Sequence, residues 1–309
     1  MEPAFIRKMT PADRLDVADL VYLSTNYWYQ THGRGAIFSG GAGVAEAFFD
    51  VYEALDPGCG VVAVNKADSR LIGSCFYHPR ETHISLGIMN SHPSYAGAGV
   101  ARSLLKWIID FTRSEAKPLR LVSSAMNLDS FSLYTRAGFS PRCAYQDMLL
   151  PVPEGGLDVA AAGQDQVRPA ELADVPALAE LEMRIWGIRR QKDYRHFIAN
   201  EDGFWHLSVY QADGGQIEGF CASCGHPGCN MVGPLVAAKP DQAAALLAVE
   251  LDRHRGRTPV FLVPADCAAL VRTAYSWGAR NCEIHFSQVL GAWQPPGGIV
   301  MPTFLPETS

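Results

Sequence analysis

No stretch of this chain stays apolar for the ~20 residues that a bilayer-spanning helix needs. Glycine, proline or a charged residue breaks every long hydrophobic run, so a membrane-embedded protein is not expected. Positive charge is also thin and scattered. The 26 basic residues stand against 32 acidic ones, a net charge of −6, and form no block or stripe that could follow a phosphate backbone. Nucleic acid is therefore not an expected partner. Cysteine is too sparse for a disulfide scaffold: eight residues in 309, most of them inside apolar runs, read as reduced and mostly buried thiols. The first residues show no basic segment followed by an apolar run and a cleavage site, so export is not expected and a cytoplasmic location is. What the chain has in quantity is core material. Hydrophobic residues make up 48% and charged residues 19%, the composition of a folded globular protein rather than a disordered one.

At roughly 100–200 residues per domain, this length suits two domains. The clearest break is at residues 151–166, where Pro151, Pro153, Gly155, Gly156, three consecutive alanines and Gly163 interrupt any periodic pattern. We place a first domain at 1–150, a linker at 151–166, a second domain at 167–293 and a Pro/Gly-rich tail, expected to be extended along a surface, at 294–309. The second part repeats the first. Ile6-Arg7 and Asp13 are echoed at a constant offset by Val167-Arg168 and Asp174. Leu71-Ile72-Gly73-Ser74-Cys75 is matched by Ile217-Glu218-Gly219-Phe220-Cys221, residues 118–122 by 259–263, and Gly138 by Gly278. Four matches in one order argue for a duplicated α/β unit.

Within the first repeat, apolar spacing predicts helices at 13–29, 100–114 and 129–136, and strands at 61–65, 71–77, 84–90, 119–123 and 145–150. In the strand from Ile84, the residues Ile84, Leu86 and Ile88 alternate with Ser85, Gly87 and Met89, which places one face on the core. Continued backwards, the other and more polar face would carry His83 and Glu81. The strand runs into His92-Pro93-Ser94-Tyr95-Ala96-Gly97-Ala98-Gly99, and an amphipathic helix starts at once. Glycines let backbone approach a ligand, and a helix start offers unpaired N–H groups and the positive end of a dipole. That combination suits a pyrophosphate.

These residues resemble a known family. Ser94-x-x-Gly97-x-Gly99 after a strand and a proline looks like motif A of the GNAT N-acetyltransferases, usually Gln/Arg-x-x-Gly-x-Gly/Ala, with serine at the first position and both glycines kept. Asn127-Leu128-Asp129-Ser130-Phe131-Ser132-Leu133-Tyr134-Thr135-Arg136-Ala137-Gly138-Phe139 is similar to the family's Asn-x-x-Ala-x-x-Leu-Tyr-x-x-x-Gly-Phe signature. The resemblance implies an α/β fold of the α+β kind with a mixed sheet, as two tandem GNAT-like acyl-CoA N-acyltransferase domains. It further implies transfer of the acetyl group of acetyl-CoA to an amine of a small molecule or peptide, by direct attack in a ternary complex. Backbone N–H groups of Gly97, Ala98, Gly99, Val100, Ala101 and Arg102 would hold the pyrophosphate, and Met89, Asn90 and Ser91 would line the pantetheine arm. Asn127 would orient that arm, and Tyr134 would protonate the departing thiolate.

The amine must also lose a proton. The family's glutamate base falls at His83 here, with Glu81 as a second candidate and no base at all as a third possibility. Tyr22, Asn26, Tyr27, Trp28, Tyr29, His32 and Arg34 form an aromatic segment suited to a ring-bearing acceptor, or simply to a core. The second repeat has no Gly-x-Gly before its helix at 242–254, and Ala274 stands where Tyr134 stands in the first, so it reads as a degenerate copy. Cys221-x-x-Cys224-x-His226-x-x-Cys229 has zinc-ligand residue types. On a strand, however, Cys221 and Cys224 point to opposite faces, with His226-Pro227-Gly228 as a hairpin turn, and no metal is expected. The other reading is a non-catalytic acyl-CoA-binding or regulatory module, as a monomer or a homodimer.

Overall fold

The computed structural model describes residues 4–308, whose contacts divide into two units. Unit 1 holds the chain up to Pro79 together with Ile84–Leu119 and Phe304–Glu307; unit 2 holds Arg80–His83 and Arg120–Thr303. The fold is a mixed α/β one in both. No helix among the described residues is long and apolar enough to cross a membrane.

Unit 1 is built from β1 (Ala4–Lys8), α1 (Arg14–Thr31), α2 (Glu46–Leu55), β2 (Gly60–Asn65), β3 (Leu71–Pro79), β4 (Ile84–Ser91) and α3 (Val100–Ser114). The strands pair antiparallel in the order β1-β2-β3-β4. Adjacent residues of β3 face opposite sides, as a pleat requires. Tyr77 packs on Trp107 and Phe111 of α3, whereas Phe76 packs on Phe49 and Tyr52 of α2. Helix α3 buries Val100, Leu104, Leu105, Ile108, Ile109 and Thr112, a stripe at helical spacing. Its first turn presses on β3 at Gly73, where a Cβ would come within 2.5 Å of Val100. Helix α2 escapes the sequence pattern because a Gly-rich stretch precedes it and its apolar residues, from Ala47 to Leu55, cover most of its circumference.

Unit 2 contains all of β5 (Leu119–Ser124) but its first residue, then α4 (Leu128–Arg136), β6 (Ser140–Leu149), β7 (Val167–Pro169), α5 (Val175–Trp186), α6 (Gln191–Ala199), β8 (Trp205–Gln211), β9 (Ile217–His226), β10 (Cys229–Ala237), α7 (Pro240–Asp252), β11 (Val260–Pro264), α8 (Ala268–Ser276), β12 (Arg280–Leu290) and β13 (Ile299–Met301). Its strands run in the order β5-β12-β6-β11-β10-β9-β8-β7, with β13 on β10. The closing strands of the two repeats are therefore exchanged. β12, from the second repeat, lies between β5 and β6, and β6 pairs along its length with β12 on one side and β11 on the other. β6 also starts at Ser140, earlier than its apolar pattern indicates, because Ser140–Ala144 pair with β12 although they are not an apolar run.

Helices α7 and α8 pack on one side, where Leu246, Leu247, Leu270 and Ala274 meet Met148, Val232, Phe261 and Val263. A Cβ on Gly219 would lie 2.8 Å from Leu246, so this glycine serves α7 as Gly73 serves α3. Near α5 and α6 the interior is polar. Arg190 donates to both oxygens of Glu182 at 2.9 and 2.6 Å, and the Tyr194 hydroxyl donates to the same carboxylate. Arg80 forms a second buried pair with Asp193 at 2.7 Å. The tail departs from the surface position expected of it. Val300 and Met301 are buried on a strand that pairs with β10, and Leu305 is buried as well, within unit 1.

Candidate functional site

The loop after β4 is organised by its own backbone. Tyr95 N–H donates to His92 O, Ala96 to Pro93 O, and Ala98 to Tyr95 O, while the Ser94 N–H donates to His92 Nδ1. The Tyr95 hydroxyl accepts from Asn65 Nδ2 at 2.9 Å, which ties the loop to β2. Gly97 and Gly99 then take φ of +77° and +83°, values only glycine adopts at little cost. Gly99 is the N-cap of α3, and the first bond of that helix to a side chain or N–H beyond it comes from Ser103 to Gly99 O. Among the described residues, the N–H groups of Gly97, Gly99, Val100, Ala101 and Arg102 have no intramolecular partner. Nothing lies within 4 Å of a Cβ built on Gly97 or Gly99, so this corner is open. Of the six expected donors, Ala98 alone is occupied, by the Tyr95 carbonyl. An open row of backbone donors at a helix start fits an anionic phosphate.

The equivalent corner of the second repeat is built differently: its first helical residue, Pro240, has no N–H to offer. The N-cap of α7 is Lys239, and the Gln242 side chain turns back to accept from the Lys239 N–H at 3.0 Å.

Along β4, Cys75 pairs with Met89 but Tyr77 pairs with Leu86, which leaves Gly87 and Ile88 opposite Phe76 as a β-bulge. The bulge breaks the alternation read from Ile84 onward. Met89 and Ser91 are half-buried beyond it, and the buried Asn90 accepts from Ser24 Oγ of α1 at 2.7 Å. Neither expected base lies on this strand. β4 begins at Ile84, and residues 80–83 form a turn closed by Arg80 N–H donating to His83 O, so strand parity does not extend back to them. His83 is fully buried, with Thr82 Oγ1 3.1 Å from its Nδ1; Glu81 is exposed and accepts from the Gln191 N–H at 3.2 Å.

In unit 2, Asn127 is the N-cap of α4, its side chain accepting from Ser130 N–H at 3.0 Å. Tyr134 sits one turn and a half along α4, mostly buried, with its ring 5.7 Å from that of Phe139. The aromatic segment of α1 divides between roles. Tyr22 stacks on Phe38, and Asn26 is buried with both amide atoms bonded to the Phe38 backbone at 2.9 Å, while Trp28 stacks on His32 nearer the surface and Tyr27 is exposed. The Cys221 segment forms the β9–β10 hairpin, with Cys229 paired to His226 across its turn.

Sequence spacing did not point to a buried polar group in unit 1. Asp56 accepts from His78 Nδ1 at 2.8 Å, the Tyr52 ring lies 4.6 Å from the imidazole, and the Tyr52 hydroxyl donates to Glu307. His78 Nε2 stands 3.9 Å from Glu307 and is the atom that a side chain on Gly87 would strike. His78 and Glu307 stand far in sequence from Tyr52 and Asp56 and share no motif with them, so no local signal could have joined the group. Burial pushes the Glu307 carboxyl up to about 8. The folded state then holds a proton that the unfolded chain releases near its ordinary value. The resulting stability is present at acid pH and is lost as pH rises toward 8. In Glu307→Gln, which keeps a neutral acceptor for Tyr52, thermal unfolding is expected to be less pH-sensitive. The gap from the parent should widen by about 1.4 kcal/mol per pH unit between pH 5 and 8. Parallel profiles would show Glu307 to be ionised in the fold.

Two family models match the chain: one described as the acetyltransferase (GNAT) family, over residues 26–139, and one described as an acetyltransferase (GNAT) domain, over residues 178–285. Similar solved structures extend over nearly the whole chain. A Pyrococcus horikoshii protein described as an acetyltransferase has a TM-score of 0.74 at 15% identity, covering 99% of this chain and 96% of its own. A GCN5-related N-acetyltransferase from Sphaerobacter thermophilus has a TM-score of 0.63 at 18% identity, with coverages of 96% and 98%. A tandem GNAT protein from the clavulanic acid biosynthesis pathway has a TM-score of 0.59 at 13% identity, with coverages of 95% and 99%. No curated protein matches the sequence.

Proposed function

We propose, for a chain that belongs to the GNAT acetyltransferase family and carries two of its domains, that the first repeat moves the acetyl group of acetyl-CoA directly onto an amine of a small molecule or peptide. The second repeat is the scaffold. The observation that carries this reading is the contrast between two helix starts: five unpartnered N–H groups from Gly97 to Arg102 at α3, against the start of α7 at Pro240, which has no N–H and no Gly-x-Gly before it. Acetyl-CoA brings a pyrophosphate whose oxygens the first can hold with a row of backbone hydrogen bonds.

In the reaction, the amine lone pair attacks the thioester carbonyl, the C–S bond breaks, and the acetyl group remains on nitrogen. The thiolate takes a proton, for which Tyr134 is the assigned donor. The proton lost by the amine passes to a base, for which His83 and Glu81 are the candidates, or directly to solvent. Met89, Asn90 and Ser91 are assigned to the pantetheine arm.

The test is release of free CoA from acetyl-CoA in the presence of a panel of small primary amines. A melting-temperature rise with acetyl-CoA but no release with any amine would favour the non-catalytic binding module. Tyr134→Phe is expected to lower kcat on the order of 100-fold while the acetyl-CoA shift is retained. A variant as fast as the parent would remove Tyr134 from the proton transfer.

A further inference from the structure

One buried cluster of ligating side chains remains outside the regions described so far. Asp147 on β6 stands directly opposite Glu283 on β12, and His285 follows on the same face of β12. Ligating atoms of the three lie within 4.8 Å of one another. Their exposures are only 3%, 8% and 7%. His285 Nδ1 approaches Asp147 Oδ2 to 2.8 Å, and the other oxygen, Asp147 Oδ1, is buried with no hydrogen-bond partner. Two carboxylates nearly shut off from water call for compensating positive charge.

We propose that Asp147, Glu283 and His285 bind one divalent transition-metal ion of the zinc type. One imidazole nitrogen and two carboxylate oxygens are a donor set that suits such an ion. A dication balances two carboxylates once His285 coordinates as the neutral imidazole. Donor atoms bonded at about 2.1 Å sit about 3–3.5 Å from one another, so the His285–Asp147 approach is already near that of neighbouring ligands and small side-chain shifts close the rest. The unsatisfied Asp147 Oδ1 is then within reach of a partner. A surrounding shell is present as well. Ser124 donates its hydroxyl to Glu283, and its oxygen in turn accepts from the Met126 N–H at 3.0 Å, which holds the glutamate in place. Because β6 belongs to the first repeat and β12 to the second, the ion would fasten the two exchanged strands at their shared seam.

Full-length protein, stripped with chelator and dialysed, is titrated with zinc chloride and separately with cobalt(II). One equivalent of zinc is expected to bind and to raise the melting temperature by roughly 5 °C at about a 100-fold excess over Kd, and cobalt is expected to develop the visible absorption of a coordinated ion. Glu283→Gln and His285→Gln should lose both signals. Substoichiometric zinc and no cobalt absorption in the parent would leave a simple ion pair and overturn the proposal, whatever the variants do. Undiminished binding by a folded Glu283→Gln protein would place the ion elsewhere and overturn it equally.

Discussion

Valine in place of Gly99 is expected to erase the rise in melting temperature that acetyl-CoA gives the parent, through a loss of affinity on the order of 100-fold. A Cβ at this position meets nothing within 4 Å, so the effect does not come from a clash. It comes from the backbone. Gly99 has φ of +83° at the N-cap of α3, a left-handed conformation that costs an L-residue about 1–2 kcal/mol and a β-branched one more. Relief of that strain re-aims the N–H of Gly99 and those of the first helical turn. Loss of even one or two charge-assisted bonds, at about 1.5–3 kcal/mol each, accounts for the expected drop. Gly58→Val is the matched control, since Gly58 has φ of +70° and equally open space but lies in the turn after α2. It should lower stability and leave the acetyl-CoA shift intact. Parent-like binding by Gly99→Val would remove the anion site from this loop.

Arg190→Met should produce the largest loss of stability, about 3–5 kcal/mol in denaturant unfolding. Arg190 and Glu182 are both wholly buried, and the guanidinium bonds both carboxylate oxygens. Methionine fills much of the volume yet leaves Glu182 with the Tyr194 hydroxyl as its remaining named donor. The penalty is that of an uncompensated buried charge, not of a lost attraction. Replacing both members, as Glu182→Leu with Arg190→Met, should therefore recover most of the loss. A single variant within about 1 kcal/mol of the parent would mean that water reaches the pair.

The features legible in the sequence were those written in neighbouring residues. Gly97 and Gly99 before an amphipathic helix, Asn127 three residues ahead of Ser130, and His226-Pro227-Gly228 between two apolar runs all state their local geometry directly. The Gly73 and Gly219 echo was legible because each is needed for close approach of one helix to one strand. Long-range partnerships were not. Apolar alternation marks β6 and β12 as strands but carries no information on which strand each will pair with. His83 and Glu81 were misplaced for a related reason: a turn at residues 80–83 resets the side-chain parity that strand counting assumes. Glu307 beside Tyr52, and Asp147 beside Glu283, join positions whose separation in sequence hides them from any motif.

The order of synthesis gives the exchanged strands a further meaning. Both hydrogen-bonding neighbours of β6 are encoded in the second repeat, so a ribosome releases β6 with two open edges and nothing native to close them until residues 260–290 follow. Open edges of this kind invite pairing with other chains. The second repeat supplies both strands that close those edges. Deleting the second repeat would leave β6 without either of its neighbouring strands.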